Sequence, residues 1–467
     1  MDKNNGAIYD ARKLGKPKMI ILGVQHMFAM FGATILVPIL TGLDISTTLL
    51  MAGLGTLLFH CITKFKVPAF LGSSFAFLGG YAAIKAFSPN DPNSMLPYAC
   101  LGVACAGLIY FILAAVIKAV GIEKVMRFFP PVVTGPIIIA IGLGLAPSAV
   151  SNCTTNWFLA VVALAVIVVF NIWGKGMAKI IPIILGLLIS YGTGLVLYFI
   201  SQANPDLIQN VPWLFSGGAD ANGVYQPIFD FTSLNTICDN ISKGHIFGSE
   251  GLIGIPIHWD KTVFGGIDYS NGALIASSII AIVPIAFATM MEHIGDICAI
   301  SSTTGNIYII DPGLHRTLVG DGLATTLASL FGGPAYTTYG ENTGVLALTR
   351  VYDPRVIRIA AYFAVAVSFF PIVSVIIGSI PSCIIGGISF VLYGMISAIG
   401  VRNVVENKVD FTKSRNLIVA AVILVCALGL SSDTVSFTIG SAAITLSPLA
   451  VASIAGIVLN AVFPGKD

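Results

Sequence analysis

Long runs of apolar residues alternate with short polar segments along nearly the whole chain. Each run approaches the roughly 20 residues that a helix needs to cross a bilayer, and the runs are continuously apolar, whereas barrel strands alternate. The pattern therefore predicts an all-α polytopic membrane protein with fourteen transmembrane spans. The predicted spans cover residues 18–41, 46–63, 68–87, 96–117, 128–147, 156–173, 179–200, 271–296, 317–332, 335–350, 356–378, 381–400, 415–431 and 438–463.

Polar and glycine-containing stretches break two of these spans, the third and the tenth. In the tenth, residues 334–339 predict an extended piece, and Gly340 precedes a short helix that carries Glu341 and Asn342. A carboxylate is costly in lipid, so Glu341 is expected to face protein or water and is a functional candidate. A helix that begins inside the membrane presents free N–H groups and a positive dipole end, which can hold a polar solute. The alternative is a short re-entrant or interfacial turn near the membrane surface.

Composition and charge support the membrane assignment and give it an orientation. Hydrophobic residues make up 56% of the chain and charged residues 10%, whereas soluble proteins carry roughly a quarter charged residues. With the N-terminus inside, only Lys85, Lys243 and Lys261 of the 24 Lys and Arg residues fall on the outer side. The positive-inside rule then places both termini in the cytoplasm. The basic residues lie in short flanks, so the net charge of +2 gives no reason to expect a nucleic-acid partner.

Residues 201–270 form the one long polar segment, which we interpret as a small extracellular loop. The chain shows no cleavable signal peptide, because the first apolar run is too long for one. The eight cysteines lack metal-ligand spacing, so we expect no metal site. Cys153 and Cys238 both fall in segments predicted to lie outside, where a disulfide is open to them, although we expect them not to pair.

Three segments of the first half recur in the same order in the second. PAFLGSSF, which begins at Pro68, matches PAYTTYGE from Pro334 at an offset of 266, and Gln25-His26 matches Glu292-His293 at an offset of 267. PPVVTG at 130–135 resembles PSCIIG at 381–386. Two copies of seven spans must have opposite orientations, because seven is odd. An inverted repeat with a broken helix in each half is typical of secondary transporters. Chance similarity of short Pro- and Gly-containing strings is the alternative.

An acidic cluster, MEHIGD, closes the eighth predicted span. Glu292 and Asp296 are four residues apart and share a helix face, with His293 about a quarter-turn away. Two carboxylates in a low-dielectric helix repel each other, so at least one is expected to hold a proton readily, as a proton carrier must. For Asp296 the alternative is simple solvation at the cytoplasmic end of the span.

The remaining candidates are weaker on their own. His26 is a lone histidine in an apolar helix and fits a hydrogen-bonded structural role as well as proton transfer. Ser73, Ser74 and Phe75 occupy the break in the third span, where backbone N–H groups and the Phe75 ring can meet a flat polar solute. Tyr339 and its neighbours can contact the solute in the same way from the other half of the chain, or they can simply hydrogen-bond to exposed backbone groups. The sequence contains no nucleophile elbow or phosphate loop, so we expect a transporter and not an enzyme.

These motifs resemble the nucleobase–ascorbate transporter family. ENTGVLALTR is similar to the family signature of an acidic residue or Gln, then Asn-x-Gly, four residues and Thr-Arg. QHMFAMFGATILVPIL, PAFLGSSFAF, EHIGD and DPGLHR resemble its bacterial uracil-permease branch. The likeness covers nearly the whole chain apart from residues 201–270.

The resemblance implies an architecture and an activity. It implies a core domain made of residues 18–117 and 271–378 (spans 1–4 and 8–11) and a gate domain made of 118–200 and 379–463 (spans 5–7 and 12–14). It also implies a homodimer in the inner or plasma membrane that imports uracil with protons and uses no cofactor.

The resemblance also assigns roles to residues. Glu292 and Glu341 would hydrogen-bond the pyrimidine, assisted by the backbone at Phe75 and Gly340. The family ties the position of Asp296 to proton coupling. Together with the residue patterns above, this makes Glu292, Asp296 and His26 our candidates for coupling. The supporting residues of the site are Ser73, Ser74, Tyr339 and Asn342.

Asp296 departs from the pattern, because the best-known uracil carrier of the family has His at the matching position. Asp there also occurs in purine carriers, so a xanthine or urate symporter is the nearest alternative. An anion exchanger of the same architecture would need a net positive site, which three carboxylates oppose. A membrane enzyme or receptor is a more distant alternative.

Overall fold

The computed structural model describes residues 7–127, 129–430, 436–439 and 442–464. Helices make up most of the chain. Those of the first half are α1 (Lys16–Thr41), α2 (Ile45–Ile62), α3 (Leu78–Lys85), α4 (Leu96–Val120), α5 (Ile122–Met126), α6 (Pro131–Cys153), α7 (Trp157–Trp173), α8 (Met177–Ile180), α9 (Pro182–Ala203), α10 (Asp206–Asn210), α11 (Pro212–Phe215) and α12 (Thr232–Ser242).

The second half continues in the same manner. Its helices are α13 (Val263–Gly266), α14 (Gly272–Ile282), α15 (Ala286–Thr304), α16 (Leu314–Leu330), α17 (Gly340–Thr349), α18 (Pro354–Ser368), α19 (Pro371–Gly378), α20 (Ser382–Glu406), α21 (Ser414–Gly429) and α22 (Pro448–Val462). A 3₁₀ turn at Val283–Ile285 joins α14 to α15, so together they run from Gly272 to Thr304.

Within the described residues, six short strands interrupt the helices and form three antiparallel pairs. The strands are β1 (Leu71–Ser73), β2 (Ser216–Ala219), β3 (Tyr225–Pro227), β4 (Tyr336–Thr338), β5 (Ser436–Ile439) and β6 (Ala442–Thr445). β1 pairs with β4, β2 with β3, and β5 with β6. The prediction of a helical polytopic membrane protein is confirmed in outline, although the chain is not purely α-helical.

Seven helical segments within the described residues are long and apolar enough to cross a membrane alone, or eight if α18 and α19 count as one span. Shorter apolar helices, among them Trp157–Trp173, Ser414–Gly429 and Pro448–Val462, fall inside other predicted spans. Length and composition therefore establish a multi-pass protein, while the number fourteen stays a prediction.

Local chemistry explains where several helices begin and end. Asp44 Oδ1 accepts a hydrogen bond from Thr47 N at 2.7 Å and caps the start of α2, and Asn271 caps α14 in the same way. After α1, Gly42 adopts a left-handed conformation (φ 88°) that suits glycine.

The eighth predicted span ends too early in the sequence. We expected it to end at 296, but α15 continues to Thr304 and ends at left-handed Gly305. The polar tail stays helical because Ser301 Oγ donates to Ile297 O and Thr304 Oγ1 donates to Ile300 O. Asp296 therefore lies well inside the helix.

Two other predicted spans also differ from the observed helices. The eleventh is interrupted between α18 and α19, where Pro371 restricts Phe370 to an extended conformation. The fourteenth was expected from 438, but that stretch contains β5 and β6, and residues 440 and 441 lie outside the described part of the chain. The helix starts only at Pro448, where Ser447 Oγ accepts from Ala450 N at 3.2 Å.

The chain forms two compact units. The first contains the described residues of Met1–Gly144, Ile257–Val367 and Ile396–Asp467. In it α16 packs against α4 and α2. A Cβ on Gly107 would lie 2.7 Å from Gly322 O, and one on Gly322 would lie 2.6 Å from Gly107 O. Only glycine therefore allows this close approach of α4 and α16.

The second unit contains Leu145–Pro256 and Ser368–Met395. Here α7 packs on α9, and Phe229 stacks on Phe231 with ring centroids 5.2 Å apart. Cys153 is the last residue of α6 and Cys238 lies within α12, so neither is in a loop, and both are free thiols. The predicted extracellular loop, 201–270, is shared between the two units, and the predicted core and gate domains stay a prediction.

Candidate functional site

The breaks in the third and tenth predicted spans meet as the antiparallel pair β1–β4, inside the first unit. Two further hydrogen bonds close the pair at its ends. Ser74 N donates to Ala335 O at 2.9 Å, and Tyr339 N donates to Phe70 O at 3.0 Å. The strand register is Leu71 with Thr338, Gly72 with Thr337, and Ser73 with Tyr336.

This strand pair has a local two-fold symmetry in its hydrogen bonds. Residues that are 265 apart in sequence occupy equivalent positions in the two strands, so Phe70 corresponds to Ala335 and Ser74 to Tyr339. The two closing hydrogen bonds are therefore equivalent to each other. Gly72 and Thr337 then face each other on the axis. The sequence match gave 266, one residue more, because Pro334 stands one position closer to its strand than Pro68 does.

A threonine from a neighbouring helix fixes the first residue of each strand. Thr56 of α2 accepts a hydrogen bond from Leu71 N at 3.0 Å. Thr325 of α16 accepts one from Tyr336 N at 3.1 Å and donates to Tyr336 O at 2.9 Å. Both threonines are buried, so each satisfies strand backbone groups that have no access to water.

Tyr339, Ser73 and Gly72 pack together at the centre of the pair. Tyr339 Oη donates to Ser73 O at 3.0 Å, and Ser73 Oγ donates to Thr34 O at 3.1 Å. A Cβ on Gly72 would overlap the Tyr339 ring. Ser73 and Tyr339 therefore hold the strands in place. Ser74 Oγ is buried and has no hydrogen-bond partner among the described residues.

Each strand leads into a short helix. Phe75, which is buried, opens a 3₁₀ turn that continues into α3, and Gly340 is the first residue of α17. Asn342 Nδ2 lies 3.2 Å from His26 Nδ1 and donates to His26 O at 3.2 Å, which ties α17 to α1. Glu341 lies in the first turn of α17, and its side chain is outside the described part of the structure.

One of the two acidic residues of α15, Asp296, contacts this strand pair. Glu292 and Asp296 are both half-buried, as expected for two residues on one face. Thr338 Oγ1 donates to Asp296 Oδ2 at 3.0 Å, and a Cβ on Gly340 would lie 3.8 Å from Asp296 Oδ1. Simple solvation at a helix end is therefore wrong for Asp296, because this carboxylate contacts β4 beside the start of α17.

The sequence analysis missed a buried pair behind Asp296. His293 Nδ1 lies 3.3 Å from Asp321 Oδ2 on α16, and both side chains are fully buried. Thr338 Oγ1, the donor to Asp296, lies 3.5 Å from the same His293 Nδ1. An isolated charge at this depth would be strongly disfavoured, so the two groups compensate each other. The signal was present, since Asp321 is an acidic residue inside the ninth predicted span.

The site therefore combines carboxylates, hydroxyls and the starts of two helices within one unit. Carboxylates accept hydrogen bonds from N–H groups, and free peptide N–H groups donate to carbonyl oxygens. The chain Asp321–His293–Thr338–Asp296 joins two acids through groups that can hold or pass a proton. Such an arrangement can bind a polar solute through hydrogen bonds and can hold a proton.

Comparisons with known proteins show the family of the chain. The Permease family matches residues 17–436. The chain is 38% identical to a uracil permease of Bacillus caldolyticus over 96% of this chain and 92% of the relative. It is 37% identical to a uracil permease of Bacillus subtilis over 95% of this chain and 92% of the relative.

Among solved structures, the chain resembles the transmembrane domain of the cyanobacterial bicarbonate transporter BicA. The TM-score is 0.58 at 13% identity, over 97% of this chain and 99% of that domain. This likeness concerns the fold alone. The sequence relatives are permeases and not enzymes. The protein therefore belongs to the Permease family, the nucleobase–ascorbate transporter family that its motifs resemble.

Proposed function

We propose that this protein imports uracil together with protons by alternating access. The observation that carries the proposal is the convergence of Asp296 with Thr338 and the start of α17, which brings the acidic face of α15 to the β1–β4 pair. The uracil permeases named above are similar over almost the whole chain, which supports the same substrate class here.

The hydrogen-bonding pattern of uracil fits the groups of this site. The ring carries two N–H donors and two carbonyl acceptors. Glu292 and Glu341 accept from the N–H groups, while the peptide N–H groups at Phe75 and Gly340 donate to the carbonyl oxygens. The Phe75 ring offers a flat surface for stacking.

Proton coupling is assigned to the acidic face of α15. Protonation of Asp296 or Glu292 from outside favours the loaded state, and release to the cytoplasm resets the carrier. The hydrogen bond from Thr338 to Asp296 supports this role, because it connects the carboxylate to His293 and Asp321. His26 remains a further candidate, and its contact with Asn342 gives it an equally good structural role.

The proposed architecture is fourteen spans in two inverted seven-span repeats, with spans 3 and 10 each built of a strand and a half-helix. The two-fold hydrogen bonding of β1 with β4 and the paired Thr56 and Thr325 contacts support it. Core (spans 1–4 and 8–11) and gate (5–7 and 12–14) domains, a homodimer in the cytoplasmic membrane and cytoplasmic termini complete the proposal.

A purine symporter is the second candidate, because Asp296 stands where the best-known uracil carrier of the family has His, and Asp there also occurs in purine carriers. Uptake of labelled uracil by cells that carry the protein, challenged with excess unlabelled uracil, xanthine or urate, separates the two. Uracil alone should compete. Efficient competition by xanthine and none by uracil would replace the pyrimidine with a purine.

Glu341 gives the sharpest test of the binding site. Glu341→Gln should abolish uptake while the protein stays folded in the membrane, because the amide adds N–H donors and weakens acceptance from the ring. Glu406→Gln is a matched control, since Glu406 is an exposed carboxylate paired with Arg402 on α20. Normal uptake by the Glu341 variant would remove Glu341 from the site.

A further inference from the structure

The segment that precedes α1 lies along the chain that follows α17. We call residues 8–12 the N-terminal strap. Ile8 N donates to Arg350 O, and Tyr352 N donates to Ile8 O, both at 2.8 Å. These bonds make a parallel bridge between Ile8 and Val351, directly after α17 ends at left-handed Arg350. The strap thus satisfies backbone groups at the end of the helix that begins with Gly340.

The next residue of the strap reaches a second helix. Tyr9 Oη donates to Thr304 O at 2.7 Å, and Thr304 is the last residue of α15. The Tyr9 ring also makes an edge contact with Tyr352, with ring centroids 5.5 Å apart. A single tyrosine therefore touches both the end of α15 and the segment after α17.

Ion pairs and a small apolar cluster hold the strap down. Arg355 contacts Asp10 at 2.9 Å and Asp353 at 3.3 Å, and Ala11 N donates to Asp353 Oδ2 at 2.7 Å. Beneath them Ala11 packs in a buried cluster with Val351 and Val356. The backbone, the side chains and the apolar contacts all dock the strap in one place.

The two helices that the strap joins are the ones that carry the proposed site. Helix α15 carries Glu292 and Asp296, and α17 carries Glu341 and Asn342, in each case before the end that the strap holds. Asp296 and Thr304 are eight residues apart, or about 12 Å along the axis. A tilt of about 5° at the held end would move the site by about 1 Å over this length. Errors of that size disturb a preorganised polar site.

We propose that the N-terminal strap is a positioning element for transport, which fixes the ends of α15 and α17 relative to each other and so sets the spacing of the acidic groups at the site. The inference rests on the proposed function. Tyr9 and Asp10 are its positioning residues, and neither contacts the solute.

The test measures KM and maximal rate of uracil uptake for strap variants at matched amounts of protein in the membrane. Tyr9→Phe keeps the ring contact and removes the bond to Thr304, while Asp10→Asn weakens the bond to Arg355. The double variant should raise KM about three- to tenfold, the effect of losing one or two hydrogen bonds. The thermal stability of the purified protein should change little.

Two controls separate positioning from general damage. Lys13→Gln removes an exposed charge from the residue that follows the strap and leaves the contacts of Tyr9 and Asp10 in place, so KM should stay at the wild-type value. Asp10→Glu, used in place of Asp10→Asn, keeps the carboxylate and should bring KM most of the way back to the wild-type value. If KM is unchanged in the double variant, or rises equally in Lys13→Gln, the proposal is overturned.

A crosslink tests whether the strap stays docked during the cycle. Cysteines at Ile8 and Val351, in an active variant that lacks the native cysteines, would join the two bridge partners on oxidation. A positioning strap predicts the same uptake before and after oxidation, whereas a block reversed by reductant would mean that the strap must release. Wild-type protein that transports no uracil in this assay would instead reject the proposed function and, with it, the strap.

Discussion

The imidazole Nδ1 of His293 and the Oδ2 of Asp321 lie 3.3 Å apart, with both side chains fully buried. This contact joins α15 to α16, and Thr338 Oγ1 lies within reach of both His293 Nδ1 and Asp296 Oδ2. A proton held by Asp296 therefore has buried partners within hydrogen-bonding reach, which a carboxylate on a solvated helix end would lack.

Asp321→Asn should reduce uracil uptake at least about tenfold without loss of protein from the membrane, because His293 would lose its compensating charge. The effects of substitutions within one network are not additive. The double variant, Asp321→Asn with His293→Asn, should therefore lose much less uptake activity than the sum of the two single losses in free-energy terms. Initial rates of uptake for the four proteins give the coupling. Additive losses would mean that the pair does not act as a unit.

Gly72 should tolerate no side chain, because a methyl group there would overlap the Tyr339 ring at the centre of the strand pair. Gly72→Ala should therefore abolish uptake and lower thermal stability. Gly79 is the matched control, since a Cβ added in α3 meets nothing within 4 Å. Gly79→Ala should leave uptake unchanged and stabilise the helix by up to about 1 kcal/mol. Equal effects of the two substitutions would contradict the packing described here.

Thr56 and Thr325 occupy equivalent positions beside the two strands, so equivalent substitutions at the two residues should have similar effects on stability and uptake. Thr→Val at either residue removes a hydroxyl and leaves a buried strand N–H unsatisfied, at a cost of about 1–3 kcal/mol. Thr→Ser keeps the hydroxyl and should retain most uptake. Thermal unfolding of the four variants in detergent checks this. A large loss at one threonine with none at the other would argue against the two-fold relation.

The strap should not be the pH sensor of the transporter. The hydrogen bond from the Arg12 side chain holds the pKa of Asp10 well below its usual range. A carboxyl with a lowered folded-state pKa contributes stability above its unfolded pKa and loses it only as the pH falls through the folded value. Asp10 is therefore ionised from about pH 5 to 8, a range well above the ordinary carboxyl pKa. Asp10→Asn should raise KM by the same factor at both ends of this range, and a defect confined to one end would show that the strap senses pH.

Much of the fold was readable from the sequence, because apolar run length and the positions of proline and glycine are local signals. These located the helices and the two breaks, and the repeated Pro-containing strings indicated that the breaks correspond. The end of α15 was missed because Ser301 and Thr304 look polar in sequence but bond back to their own helix. The break before Pro371 lies inside an apolar run, and β5 and β6 overlap the stretch predicted as the fourteenth span, so neither was predicted.

The candidate site was predicted less completely. The acidic face of α15 follows from i,i+4 spacing, and its contact with Thr338 required the fold. Asp321 is far from His293 in sequence, so only the packing of α16 shows that they meet. The strap could not be predicted either, because Ile8 and Val351 are far apart in sequence and meet only in the folded chain.

The most direct test of the central claim is uptake of labelled uracil into vesicles that contain the protein, at two external pH values, with and without a protonophore. We expect accumulation that increases at acid external pH and collapses when the protonophore is added. Accumulation that ignores both the pH gradient and the protonophore would contradict proton coupling, and the absence of any uracil uptake would contradict the assigned substrate.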